Sequence, residues 1–449
     1  MLSDVSFKVN ESFYVSRLKS LLSSVKREYA KQGVGEIVLF ANFERDSELF
    51  KQDSSFFYLT GIEEPGVVLV CDFDGKTTLY VPNCSQERAK WMDVKVPLTQ
   101  ENAKELGVDE VMPLGGPCKG YGISPFFSQD QYKHLLDRLQ SMVVNGKKIF
   151  TLCPDNVHRY VEQRCVIERI KTFVPELASS IVDVSPIVEV MRRTKDSHEI
   201  ERLYEAITLT AMAHDAAAQA IEPNVSEGEI QGALEYIFTA TGNKPAFPSV
   251  VAGGKNGTVL HYSSNGSQLQ DGDLVVIDIG ARLGNYCADL TRTYPVSGKF
   301  TARQRELYEA VLETQRLVAQ TARPGMYLIN KENPDKSLHH LAKKVLASKG
   351  LEKYFTHGIG HFLGLDVHDV GDLSRPLQVG DVFTIEPGIY IPEENIGIRI
   401  EDDFWMVKDG VVCLSEDLPR DLDAIEKMMH EGLEPSEDVS VDSDETVEH

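Results

Sequence analysis

Four carboxylates and one histidine in the second half of this 449-residue chain stand where folding alone would not ask for them. Asp278 interrupts the apolar run Leu274-Val-Val-Ile-Asp-Ile-Gly, and Asp289 follows eleven residues later in Ala288-Asp-Leu-Thr-Arg-Thr. Glu386 comes after Val382-Phe-Thr-Ile and before Pro-Gly, and Glu401 lies in Gly397-Ile-Arg-Ile-Glu-Asp-Asp-Phe. His361 sits in the glycine-rich stretch His357-Gly-Ile-Gly-His-Phe-Leu-Gly. Buried carboxylates are costly unless paired, hydrogen-bonded or metal-bound. Singly, each residue has a structural role open to it: Asp278 could close a strand, Glu386 could pair with Arg399, and His361 could be a satisfied core histidine. Together, four inward acids carry a charge of about −4, which two divalent cations would balance and which would be badly repulsive with none. Oxygen-rich donors with one nitrogen favour Mn²⁺, and Co²⁺, Fe²⁺ or Zn²⁺ also suit such a set. Cys287, close by in sequence, reads as a small packed side chain.

These residues need strands and turns to bring them together. Leu274–Ile279 and Tyr286–Tyr294 flank Gly284-Asn285, a hairpin signal that sets Asp289 across from Asp278. Short strands are expected at Val382–Glu386 and Ile398–Glu401, each carrying its acid inward. Arg399 precedes Glu401 by two, so on a strand it shares that face and can orient the carboxylate. Trp405–Val407 and Val411–Cys413 flank Asp409-Gly410, another hairpin. Asp196-Ser-His-Glu199 is a capping box opening a long helix to about Ala220, followed by helices near 226–241, 301–321, 337–349 and 420–430. In the first half, Phe13, Leu18, Leu21, Leu22 and Val25 predict a helix from Ser12 to Gln32. Strands are expected at Glu36–Ala41, at Phe56–Gly61, and on both sides of the Asp74-Gly75 turn. The pattern is α/β (α+β) in two domains: a mixed-sheet domain at 1–190, then 191–430 carrying the acids.

Composition narrows the function. With 69 Asp and Glu against 46 Lys and Arg, the net charge is −23, which argues against phosphate-backbone recognition and hence against nucleic acid. Apolar runs such as Val67–Cys71 are far too short to span a bilayer, and the N-terminus lacks a basic segment followed by an apolar one. Seven scattered cysteines with no Cys-x-x-Cys suit reduced thiols in the cytoplasm. Residues 431–449 hold eight acids and no Lys or Arg, and are expected to be a disordered, solubilising tail. No His-Glu-x-x-His or Gly-x-Ser-x-Gly occurs, and Gly253-Gly-Lys-Asn-Gly257 lacks Walker spacing and reads as a tight loop.

The segments Ile277-Asp-Ile-Gly, Ala288-Asp-Leu-Thr-Arg-Thr, His357-Gly-Ile-Gly-His-Phe-Leu-Gly-Leu-Asp-Val-His-Asp-Val-Gly, Thr384-Ile-Glu-Pro-Gly-Ile-Tyr and Gly397-Ile-Arg-Ile-Glu-Asp-Asp resemble those of the pita-bread metallopeptidases. His-Asp-Val-Gly and the large N-terminal domain resemble the proline-specific branch, aminopeptidase P and prolidase, and Phe56-Phe-Tyr-Leu-Thr-Gly-Ile-Glu-Glu-Pro-Gly is similar to their N-terminal domain. The resemblance spans roughly residues 5–430. It implies a non-catalytic domain at 1–190 and a pita-bread catalytic domain at 191–430. It implies that Asp278, Asp289, His361, Glu386 and Glu401 hold two divalent ions, which bridge a water and present it as hydroxide to the bond before proline. It gives Glu386 a second role as proton acceptor, matches His261 and His368 to substrate-binding histidines, and matches His357 to a further active-site position. The implied substrates are peptides with proline in second position, and the implied assembly is a homodimer. Two other readings share the fold: a prolidase restricted to Xaa-Pro dipeptides, and a metal-free protein-binding scaffold, which would have no need of five intact ligands. The 14 residues between Glu386 and Glu401 make a shorter stretch than in many of these enzymes, and Phe247-Pro-Ser-Val-Val is abbreviated, both near the substrate end.

Overall fold

The N-terminal helix α1 (Ser12–Glu28) turns Leu18, Leu21, Leu22 and Val25 to one buried face, as their spacing requires. Burial of each such side chain contributes about 1.5–3 kcal/mol. The computed structural model describes residues 12–45, 48–84, 88–92, 99–118, 122–154 and 159–432, so the acidic tail from 433 onward lies outside the described residues. The chain divides into two compact units between Arg192 and Arg193.

The first unit is built on a six-stranded mixed sheet. Its strands are β1 (Gly35–Phe40), β2 (Val68–Asp72), β3 (Thr77–Val81), β4 (Glu110–Pro113), β5 (Lys148–Thr151) and β6 (Ile181–Asp183), in the order β4-β3-β2-β1-β5-β6. Strands β2 and β3 form the expected hairpin, with Gly75 at φ 91 and Asp72 Oδ1 accepting from the backbone N–H groups of Asp74 and Lys76. Helices α2 (Ser54–Thr60), α3 (Lys133–Val144), α4 (Val161–Phe173) and α5 (Ser185–Arg193) complete the series up to the division. Helix α2 corrects the strand expected at Phe56–Gly61. Asp53 caps it by accepting from the Phe56 N–H at 2.8 Å, and Gly61, at φ 67, closes it. Ser55 through Thr60 are buried on every side, so the run shows neither helical nor strand periodicity and only the caps distinguish it.

The second unit carries all the candidate site residues. Its helices are α6 (Ser197–Ala220), α7 (Glu227–Ala240), α8 (Ala302–Thr321), α9 (Leu338–Ser348) and α10 (Leu422–Glu431). The Asp196–Glu199 capping box is present, and Ser226 with Glu229 forms a second. The strands, β7 (Lys244–Pro245), β8 (Val250–Gly253), β9 (Leu274–Ile279), β10 (Ala281–Leu283), β11 (Tyr286–Cys287), β12 (Leu290–Pro295), β13 (Val382–Ile385), β14 (Gly388–Ile391), β15 (Ile396–Arg399), β16 (Asp402–Val407) and β17 (Gly410–Cys413), form small curved sheets. These run β8-β9-β12, β7-β10-β11, β13-β16-β17 and β14-β15. The Gly284-Asn285 hairpin is real, with both residues at positive φ, but each arm passes from one sheet to another. The change of sheet falls at Gly280, where a Cβ would meet the Ala288 carbonyl oxygen at 1.8 Å.

The sequence placed each acid on a strand. The structure keeps Asp278 within β9 but puts the others at strand breaks: Asp289 before β12, Glu386 between β13 and β14, and Glu401 between β15 and β16. A continuous strand alternates its side chains, whereas a break frees one to turn inward toward a common point. No helix among the described residues is long and apolar enough to cross a membrane.

Candidate metal centre

His361 lies on a segment that runs antiparallel beside β13. Thr384 N–H donates to the His361 carbonyl, Glu386 N–H to Ile359, and Leu363 N–H to Val382. Gly360 permits this approach, because a Cβ there would meet the Thr384 carbonyl oxygen at 1.9 Å. The ring Nδ1 of His361 donates to the Phe362 carbonyl oxygen at 3.2 Å, which makes Nε2 the nitrogen turned to the cleft. That Nε2 faces carboxylate oxygens, Asp289 Oδ2 at 3.3 Å and Glu386 Oε1 at 3.6 Å.

Donor atoms of Asp289, His361 and Glu401 lie within 4.8 Å of one another. Burial, then Asp278, Asp403 and Glu386, pushes the Asp289 carboxyl well above its usual range. Burial, then Asp289, Glu386 and Asp278, does the same to Glu401, and burial raises Glu386. Asp278 Oδ1 is buried without a hydrogen-bond partner among the described residues. An imidazole nitrogen turned to carboxylates, carboxylates that crowd one another, and an unmatched inward oxygen are satisfied together by cations between them. The donor set therefore fits divalent metal, with Asp278, Asp289, His361, Glu386 and Glu401 as the residues able to hold it.

The remaining candidates line the same cleft of about 250 Å³, whose wall includes His261, His357, His368, Tyr390 and Arg399. The His368 ring packs on that of His361 with centroids 4.2 Å apart, and burial, then His361 and His261, lowers its pKa to about 4. His357 Nδ1 donates to the Gly358 carbonyl at 2.8 Å, leaving Nε2 to accept from the Tyr390 hydroxyl at 3.0 Å. Burial, then Arg399, lowers the His357 pKa to about 3, so its ring is neutral. Arg399 reaches further than expected. Nη2 donates to Asp278 Oδ2 at 2.7 Å and Nη1 to the Tyr390 hydroxyl at 2.8 Å. Its link to Glu401 runs mainly through Thr291, which accepts from Arg399 Nε at 3.0 Å and donates to Glu401 Oε2 at 2.6 Å.

Sequence reasoning missed Thr291, Thr384, Tyr390 and Asp403. Thr384 Oγ1 accepts from the His361 N–H and donates toward Glu386 Oε1 at 3.3 Å, and Asp403 Oδ2 accepts from the Asp289 N–H at 3.2 Å. Thr291 and Thr384 each lie two residues from an acid, a spacing that marked Arg399 and would have marked them. Nothing local points to Asp403. Another buried contact holds the histidine segment. Lys195 Nζ lies 3.0 Å from Asp369 Oδ2, both side chains are 1% exposed, and Asp369 directly follows His368. Lys195→Met leaves that carboxylate buried without its cation, and the expected loss is about 3–5 kcal/mol of stability, read as the urea midpoint. An unchanged midpoint would contradict this role.

In the metal-free protein Asp289 and Glu401 hold protons more tightly folded than unfolded, so stability falls as pH rises through and above the ordinary carboxylate range. Metal needs the deprotonated forms, so its stabilisation grows over the same window. The gap in melting temperature between metal-loaded and metal-stripped protein is expected to widen with rising pH, and a constant gap would contradict the assignment.

An oxygen-rich donor set carried on β9 and at strand breaks, in a cleft where His357 and His368 are neutral, is the apparatus of a metal-dependent hydrolase. Comparison with known proteins makes the class specific. The model of metallopeptidase family M24 matches residues 201–408, and that of the aminopeptidase P N-terminal domain matches residues 14–116. The Xaa-Pro aminopeptidase of Escherichia coli (strain K12) is 33% identical over 414 residues, covering 86% of this chain and 90% of that protein. Xaa-Pro aminopeptidase 3 of Mus musculus is 33% identical over 408 residues, covering 84% and 76%. The solved structure of a putative aminopeptidase P from Bacillus anthracis aligns with a TM-score of 0.79 at 30% identity, covering 94% of this chain and 99% of that one. Aminopeptidase P from E. coli with the inhibitor Pro-Leu aligns with a TM-score of 0.77 at 27% identity, covering 94% and 98%. The chain belongs to the pita-bread metallopeptidases of family M24, in their proline-specific branch. It is a peptidase, and divalent metal ions are its cofactor.

Proposed function

We propose that the chain is a metal-dependent Xaa-Pro aminopeptidase that removes the N-terminal residue from peptides with proline in second position. Two divalent ions per subunit, Mn²⁺ by the oxygen-rich donor set, are held by Asp278, Asp289, His361, Glu386 and Glu401. The observation that carries this is His361 Nε2 turned toward carboxylate oxygens of Asp289 and Glu386 at 3.3 and 3.6 Å. When bound, the ions supply Lewis acidity and an activated water. Glu386 takes the proton of the attacking water on a carboxylate oxygen and delivers it to the proline nitrogen as the C–N bond breaks. His261 and His368 donate N–H groups to the carbonyl oxygen as charge builds there, His368 being neutral and single-protonated at physiological pH. Arg399 and Tyr390 hold Asp278 and His357 in place. Proline suits a pocket that accepts a ring and asks for no N–H from the scissile nitrogen. The reading extends to a homodimer in a reducing, cytoplasmic compartment, which seven cysteines without a disulfide suit.

The test is an assay of an Xaa-Pro-Yaa tripeptide beside an Xaa-Pro dipeptide with added Mn²⁺. Turnover of the tripeptide is expected. Turnover of the dipeptide alone would make the chain a prolidase, and turnover of neither would sink the proposal.

A further inference from the structure

Glu227, in the first turn of α7, is a fully buried carboxylate that lies outside the cleft and accepts four hydrogen bonds from one loop. Its Oε1 accepts from the Gly253 N–H at 2.9 Å and from Asn256 Nδ2 at 2.8 Å. Its Oε2 accepts from the Tyr262 hydroxyl and from the Ser267 N–H, both at 2.8 Å. The four donors span the start, middle and end of the segment 253–267, and His261, which borders the cleft, is the neighbour of Tyr262. The glycine-rich stretch 253–257, which gave no ligand reading from its sequence, is thereby tied to the helix that carries Glu227. Taking a carboxylate out of water is unfavourable unless its lone pairs are filled, and here all four are filled by a single loop. Solubility or helix capping does not call for this arrangement, since Ser226 and Glu229 already cap α7 and Glu229 has the exposed side.

We propose that Glu227 is a positioning residue for the peptidase reaction: through Tyr262 and the loop 253–267 it fixes His261 over the scissile carbonyl. This rests on the proposed role of His261 as a donor to the carbonyl oxygen. An amide cannot substitute, because its NH₂ would face two donors, so Glu227→Gln removes half of the anchor while leaving the side-chain volume.

The experiment is a double-mutant cycle on full-length, metal-loaded protein with an Xaa-Pro-Yaa tripeptide. His261→Ala is expected to lower kcat/KM by about 100-fold and Glu227→Gln by about tenfold, with the double variant no worse than His261→Ala alone, because residues acting as one unit are not additive. Bound metal per chain should stay unchanged in all three, and amide exchange within 258–263 should accelerate in Glu227→Gln. Tyr262→Phe, which keeps the carboxylate and deletes one of its four bonds, should give a smaller loss with the same lack of additivity. A double variant at the product of the two single losses would overturn the proposal, as would Glu227→Gln at wild-type activity while His261→Ala is impaired. Wild-type activity in His261→Ala would overturn it together with the role assigned to His261.

Discussion

Glu386→Ala is expected to abolish turnover of an Xaa-Pro-Yaa tripeptide and to loosen metal binding at the same time. Two losses coincide in this residue. Its carboxylate is one of the five proposed donors, with Oε1 3.6 Å from His361 Nε2, and it is the group assigned the proton of the attacking water. Loss of a general base alone lowers turnover by about 10²–10⁴-fold. Even partners that only orient ligands typically cost about 10–100-fold in metal affinity, so loss of a direct ligand should cost at least that. Kinetics alone would not separate the two effects, so bound metal is measured on the same preparation. Glu386→Ala with full metal and near wild-type turnover would remove both roles.

His368→Ala is expected to behave differently. Turnover falls by about 10²–10³-fold, the size of an oxyanion-donor deletion, while metal content is unchanged. The ring packs at 4.2 Å on that of His361 and lines the cleft, and its proposed role is toward the carbonyl oxygen rather than the metal. If His368→Ala strips the metal, the ligand set is wrong and His368 belongs in it.

The parts of the fold legible in the sequence were those written in local chemistry. The capping box at Asp196 marked the start of α6, and Gly284-Asn285 marked a turn that needs two positive φ angles. The five proposed ligands could be read because acids inside apolar segments are anomalous wherever they lie, and the structure brings all of them to one cleft. Helix α2 could not be read, because a run buried on every side has no period. The strand breaks that aim Asp289, Glu386 and Glu401 were also hidden, since alternating residues look the same on both sides of a break. The second layer of contacts was the least visible. Arg399 meets Asp278 across 121 residues of chain, and Lys195 meets Asp369 across 174, separations at which no local pattern operates. Glu227, lying in an ordinary helix start, gave no sign that it anchors a loop 26 to 40 residues away.

Metal stoichiometry and turnover, measured on the same protein, test the metal dependence of the peptidase most directly. Protein stripped by a chelator is reloaded with Mn²⁺, passed free of excess ion, and measured for metal per chain and for tripeptide turnover. The account predicts no turnover when stripped, and two ions per chain with turnover restored after loading. Fewer than one ion per chain after loading, or undiminished turnover in the stripped protein, would contradict it.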